Sequence, residues 1–195
     1  MFITKEGIID KKRNGELIIN PILDKDAQFE GAKIDLRLDN TFYRVENQFE
    51  GIQDTLHRPR EIREKITVPY SREDEANKFI LHPGEFALAS TFEHVAIPAD
   101  LVGLLGGRSS IARQGIIIHA TAGVIDPGYT GTITLELSNI GNIPTVLNPR
   151  QRIASIMFAE LNEKTERYTG AMGDESAAAP KEKDEDADIL EDMSI

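Results

Sequence analysis

From residue 79 onward, short apolar runs alternate with turn residues. Phe79–Leu81 is followed by His82-Pro83-Gly84, and the stretch Phe86–Phe92 alternates. Val95–Ile97 precedes Pro98, and Leu101–Leu105 precedes Gly106-Gly107. Ile116–His119, Thr132–Ser138, Thr145–Leu147 and Ile153–Phe158 continue the series. Short strands recurring about every 8–12 residues predict an all-β sandwich, jelly roll or barrel. No helix of about ten residues fits in this stretch, so a βαβ nucleotide fold is not expected.

The first third of the chain reads differently. Thr4 is placed to cap a short helix, Ile8 and Ile9 give it an apolar side, and Gly15 ends it. Leu17-Ile18-Ile19 begins extended structure that stops at Pro21. Ile34, Leu36 and Leu38 alternate with Lys33, Asp35 and Arg37, the pattern of a half-buried strand. Residues 46–78 are polar, with one strand expected near Ile66–Val68. Residues 171–195 carry nine acidic side chains against two lysines and few apolar ones. That composition predicts a disordered acidic tail after a single domain spanning residues 1–170.

Charge and composition narrow the function. The net charge is −11, of which the tail supplies −7 and the body −4. An acidic body without a basic stripe argues against a nucleic-acid partner. It leaves room for a nucleotide, because a few placed arginines suffice to bind one triphosphate. Cysteine is absent, which removes disulfides, thiol nucleophiles and thiolate metal sites. The four histidines are scattered, so zinc hydrolysis is not expected. No apolar run reaches about 18 residues and no signal pattern opens the chain, so no membrane is expected and a cytoplasmic location is.

Candidate chemistry concentrates between residues 106 and 136. Gly106-Gly107-Arg108-Ser109-Ser110-Ile111-Ala112-Arg113 joins a tight turn to two guanidinium groups and two hydroxyls. That donor set suits phosphate oxygens, although a solvated polar loop would read the same way. His119-Ala120-Thr121-Ala122-Gly123 offers an imidazole that is either a ligand contact or a structural side chain. Asp126-Pro127-Gly128-Tyr129 forces a turn that leaves a carboxylate and a ring at a strand end. In Thr132–Ser138, alternation puts Ile133, Leu135 and Leu137 on one face and Thr132, Thr134, Glu136 and Ser138 on the other.

Taken together, the Arg108–Arg113, His119–Gly123, Ile125–Tyr129 and Ile133–Glu136 segments closely resemble the dCTP deaminase family, a branch of the dUTPase-like superfamily. Asn20-Pro21, Ile34–Leu38, Leu81–Glu85 and Ile97–Leu101 extend the likeness, which covers roughly residues 1–160. The resemblance implies a distorted jelly-roll β-barrel and a homotrimer with active sites between subunits. It implies hydrolytic deamination of dCTP to dUTP and ammonia without zinc, supplying dUMP for thymidylate synthesis. Glu136 would serve as base and acid, Ser109 and the Ala122 carbonyl would hold the water, and Arg113 would act electrostatically. Arg108, Ser110 and the neighbouring Ile111 and Ala112 amides would bind the triphosphate, with Mg²⁺ carried on it. His119, Thr121, Thr134, Leu135 and Tyr168 would also contact the substrate. Asp126 and Tyr129 would flank the deoxyribose.

Two features refine that likeness. Gly123 resembles members that also cleave the product to dUMP and diphosphate, whereas members that stop at dUTP carry a bulkier residue there. Both outcomes stay open on sequence. Tyr168 matches the first residue of the family's closing segment. The Lys and Gln expected after it are missing, and Ser155 stands where Gln is common. Two alternatives remain at this stage: a dUTPase that does not deaminate, and a non-catalytic nucleotide-binding protein on the same fold. A carboxyl at position 136, where dUTPases are apolar, favours the deaminase.

Overall fold

The computed structural model describes residues 1–45, 63–70, 78–121 and 123–168. The expected acidic tail and Ala122 therefore lie outside the described residues. The chain opens with α1 (Lys5–Arg13), whose cap is the one expected: the Thr4 hydroxyl accepts from the Gly7 amide. Ile8 is fully buried, and Gly15 leaves the helix at a φ of 74°. Strand β1 (Ile18–Asn20) ends at a cis Asn20–Pro21 bond.

A short helix not anticipated from sequence follows, α2 (Lys25–Gln28), with Asp24 accepting from the Ala27 amide. Then come β2 (Phe29–Glu30), β3 (Lys33–Val45), β4 (Arg63–Thr67), β5 (Phe79–Leu81) and β6 (Phe86–Ala96). Next are β7 (Leu101–Gly107), α3 (Ser109–Ala112), β8 (Ile116–Ile117) and β9 (Val124–Ile125). The described elements end with β10 (Thr130–Asn139), β11 (Thr145–Leu147) and β12 (Arg152–Glu160). Strand β6 is continuous where two strands, Phe86–Phe92 and Val95–Ile97, were expected, and β9 was not expected at all.

Every described pairing is antiparallel. The main sheet runs β8-β10-β6-β3-β12-β7-β9, with β1 on β6 and both β2 and β4 on β3. A second sheet joins β11 to β5. The large sheet curls because β3 serves both halves: Ile34–Arg37 pairs with β12, and Phe42–Arg44 pairs with β6. The register shifts between Leu38 and Phe42, which is how a strand turns a corner. Ile34, Leu36, Leu38, Phe42, Leu135, Leu137, Ile156 and Phe158 fill the inside and are fully buried. The result is the curled, antiparallel, all-β architecture that the strand pattern predicted.

Candidate active site

The arginine turn grows from the end of β7. Its backbone is tied to β12, where the Arg108 amide donates to the Ile153 carbonyl at 3.2 Å. Ile111 points into the core, leaving Ser109, Ser110, Ala112 and Arg113 exposed. The Ile111 and Ala112 amides both donate to the Arg108 carbonyl, at 2.9 and 3.0 Å. Both amides, expected among the phosphate-binding groups, thus also hold the turn together. The Ser109 and Ser110 amides, first in the turn, make no hydrogen bond among the described residues.

Glu136 lies near the middle of β10, opposite Leu88 of β6. Ile133, Leu135 and Leu137 are buried on the inner face, as the alternation predicted, and Glu136 is half-buried on the other. Leu135, expected among the substrate-contacting residues, has its side chain in the core. Thr134 stays half-buried beside Glu136 on the outer face.

A connecting segment runs along this strand and supports the carboxylate. The Glu136 amide donates to the Ile118 carbonyl at 3.0 Å, and the Ala120 amide donates to Glu136 Oε2 at 2.8 Å. The other oxygen, Oε1, takes no hydrogen bond among the described residues. The segment then crosses to β7, where the Leu105 amide donates to the Gly123 carbonyl at 2.7 Å. Ile118 and Ala120 thus meet β10 beside the carboxylate, and Gly123 meets β7.

His119 and Gly123 pack against each other within that segment. A Cβ at position 123 would stand 3.1 Å from His119 Cε1 and 3.2 Å from the Leu105 carbonyl oxygen. Glycine is what the contact allows without moving a backbone group. His119 Nδ1 is buried and has no hydrogen-bond partner among the described residues. Thr121 is exposed beside it.

The Asp126–Tyr129 turn closes the far side. Gly128 has a φ of 84°, and a Cβ there would meet the Arg167 backbone at 2.8 Å. The chain from Leu161 onward crosses over this turn, and the Tyr168 amide donates to the Pro127 carbonyl at 2.9 Å. The Tyr129 and Tyr168 rings are 6.1 Å apart. The Tyr129 hydroxyl donates to the Thr132 carbonyl at 2.7 Å, and burial, with Tyr168 nearby, pushes its pKa up to about 12. Asp126 is exposed. Tyr168 thus packs on the same turn that carries Asp126 and Tyr129.

One chain brings Glu136, Ile118, Ala120 and Thr134 together, and separately Asp126, Tyr129 and Tyr168. No described hydrogen bond or ion pair joins Ser109 or Arg113 to Glu136. Sequence reasoning missed Asp35, taken only as a polar position on a half-buried strand. It is buried, and its Oδ2 lies 2.8 Å from Arg108 Nε. Its position between Lys33 and Arg37 on an alternating strand was the available signal. Among the described residues, no group of three or more His, Asp or Glu is placed to hold a metal ion. No described helix is long and apolar enough to cross a membrane.

Comparison with known proteins places these features in context. Residues 2–161 match the family described as dCTP deaminase-like. The chain is 42% identical over 171 residues to the dCTP deaminase of Halorubrum lacusprofundi, covering 87% of this chain and 82% of the relative. It is 43% identical over 168 residues to a dCTP deaminase, dUMP-forming, of Dictyoglomus thermophilum, covering 85% and 84%. Among solved structures, it is similar to the 2'-deoxycytidine 5'-triphosphate deaminase of Agrobacterium tumefaciens. That match has a TM-score of 0.61 at 25% identity and covers 80% of this chain. The chain spans about half the length of that solved protein, 47%.

Proposed function

The chain belongs to the dCTP deaminase-like family, and from that premise we propose that it hydrolyses dCTP to dUTP and ammonia and carries the product on to dUMP and diphosphate. The observation that supports this most is the state of Glu136. One carboxylate oxygen is held by the Ala120 amide, and the other takes no described partner. A carboxyl fixed at one oxygen and open at the other can take a proton from water and hand it on without swinging away.

The chemistry assigned to it balances simply. Water adds to C4 of the cytosine ring as Glu136 takes its proton. The same proton is delivered to the ring nitrogen. Glu136 then moves the proton of the new C4 hydroxyl to the C4 amino group, the C4–N bond breaks to release ammonia, and the C4 carbonyl of uracil forms. Ser109 and the Ala122 carbonyl hold the water, and Arg113 stabilises the charge that develops. His119 and Thr121 sit on the connecting segment beside the base, and Thr134 flanks Glu136.

Arg108, with the Ser110 hydroxyl and the Ser109 and Ser110 amides, takes the triphosphate. Mg²⁺ arrives on the phosphates as part of the substrate, since magnesium is commonly held by phosphate oxygens and few protein groups. Asp126 and Tyr129 border the sugar, with Tyr168 against Tyr129. For the second step, Asp126 orients a water toward the α-phosphorus, and diphosphate leaves. Relatives named dCTP deaminase, dUMP-forming, such as that of Dictyoglomus thermophilum, support this dUMP-forming reading over simple deamination.

The assembly completes the site. Ser109, Ser110 and Arg113 are exposed on a single chain, as are Val124, Ile140 and Ile143. A homotrimer with sites between subunits would cover such groups and bring the arginine turn of one copy to Glu136 of the next. Residues 1–170 form the catalytic domain, 171–195 an acidic extension, and the cytoplasm is where the enzyme works. One incubation of the protein with dCTP and Mg²⁺ tests the reading, following ammonia, dUTP, dUMP and diphosphate together. Ammonia with dUMP and diphosphate is expected. Accumulating dUTP would reduce the activity to deamination, and diphosphate from dUTP without ammonia from dCTP would overturn the deaminase.

A further inference from the structure

Asp35 lies on β3 and takes no part in the chemistry above, yet it touches the arginine turn. Its side chain is 1% exposed. Oδ2 accepts from Arg108 Nε at 2.8 Å and from Arg152 Nη1 at 3.2 Å. Lys33 Nζ stands 3.9 Å from Oδ1, which has no hydrogen bond. The register explains the meeting. Asp35 faces Ser155 on β12, and Ala154 faces Gly107 at the end of β7, so one strand separates the carboxylate from the turn.

Arg108 and Arg152 share one buried oxygen of Asp35, while Lys33 lies closer to Glu30, at 3.4 Å, than to Asp35. Arg108 spends Nε on Asp35 and Nη1 on the Arg152 carbonyl at 3.3 Å. Its Nη2 takes no partner among the described residues. Two contacts therefore fix the guanidinium plane while its outer edge stays open. Arg152 holds the carboxylate from the other side, and its Nη1 also donates to the Ala27 carbonyl.

We propose that Asp35 is the positioning residue for Arg108, locking its guanidinium so that the free edge meets the phosphate chain of the substrate. The proposal rests on the reading that Arg108 binds a triphosphate. A guanidinium held this way loses little side-chain freedom on binding an anion, so the stabilisation appears as affinity.

The test is a double-mutant cycle read by calorimetric titration with inorganic tripolyphosphate and by steady-state kinetics with dCTP. Asp35→Asn keeps size and removes charge. It should weaken tripolyphosphate binding about tenfold, the size of one charge-assisted hydrogen bond. KM for dCTP should rise by a similar factor, with kcat within about twofold. In an Arg108→Gln background, Asp35→Asn should add less than about twofold, because the group it positions is gone. Full loss in both backgrounds, or wild-type binding by Asp35→Asn, would overturn the assignment. So would a wild-type protein that does not bind tripolyphosphate.

Arg108→Lys covers the case in which Asp35→Asn does not fold. One ammonium cannot serve both Asp35 and a phosphate, so this variant should bind like Arg108→Gln, and binding like wild type would contradict the proposal. Wild-type failure to release ammonia would sink the deaminase reading alone, leaving the tripolyphosphate cycle to decide the role of Asp35.

Discussion

Two glutamates sit on neighbouring strands and have opposite fates. Glu93, on β6, is completely buried. Both its oxygens are occupied: Gln28 Nε2 donates to one at 2.9 Å and the Arg37 amide to the other at 2.7 Å. Burial pushes its pKa up to about 7 against the lowering effect of those bonds. Glu136, on β10, is half-buried, with one oxygen held and one open. A carboxyl with a raised pKa is often a sign of catalysis. Here the most perturbed carboxyl is walled off from any substrate, and the one that water can reach is the candidate base. Access decides between them, and proton affinity does not.

The largest effect expected from breaking this contrast is at Glu136. Glu136→Gln keeps the shape and the Ala120 contact but removes the base. It should lower ammonia release by about 10³-fold, within the usual range for a general acid–base group, while dCTP still binds. Direct titration of dCTP alongside an ammonia assay checks both halves.

The next effect is on stability, at Glu93. Its folded-state pKa of about 7 lies above the 4.5 of an ordinary glutamate, so the folded protein binds the proton more tightly. The contribution is fully present below pH 4.5 and is lost as pH rises through 7. The span corresponds to roughly 3 kcal/mol. Glu93→Gln should flatten that part of the stability profile, as urea unfolding across the pH range would reveal. A wild-type profile that rises from pH 4.5 to 7 through this group would contradict the assignment.

A smaller effect is expected at the segment that holds Glu136. Gly123→Ala must displace the His119 ring or the Leu105 carbonyl by a few tenths of an ångström. The Ala120 amide moves with them, and kcat should fall by about three- to tenfold with little change in Tm. Unchanged kcat with a lowered Tm would make Gly123 a packing residue only.

Much of the architecture was legible because antiparallel strands with one buried face write their period into the sequence. Ile133, Leu135 and Leu137 alternate with Glu136 as expected, and Thr4 caps α1 as expected. What escaped was long-range. On β6 the inner face is Ala87, Ala89, Thr91, Glu93 and Val95, while Phe86 is outside. The larger apolar residues thus misreport the face, and Glu93 reads as a break in the strand. Its burial depends on Gln28, 65 residues away, at the end of a four-residue helix. The Asp35–Arg108 pair likewise joins two segments whose only link is the strand order β3-β12-β7. Within the site, the motifs located Glu136 and the arginine turn. They could not show that the Ile111 and Ala112 amides both donate to the Arg108 carbonyl.

The most direct test compares the two glutamates in one experiment: ammonia release from saturating dCTP by Glu136→Gln and Glu93→Gln, both at a pH where each variant is folded. Loss of activity in Glu136→Gln with near-wild-type activity in Glu93→Gln is the predicted result. The reverse pattern, or equal retention of activity in both, would contradict the assignment of Glu136 as the base.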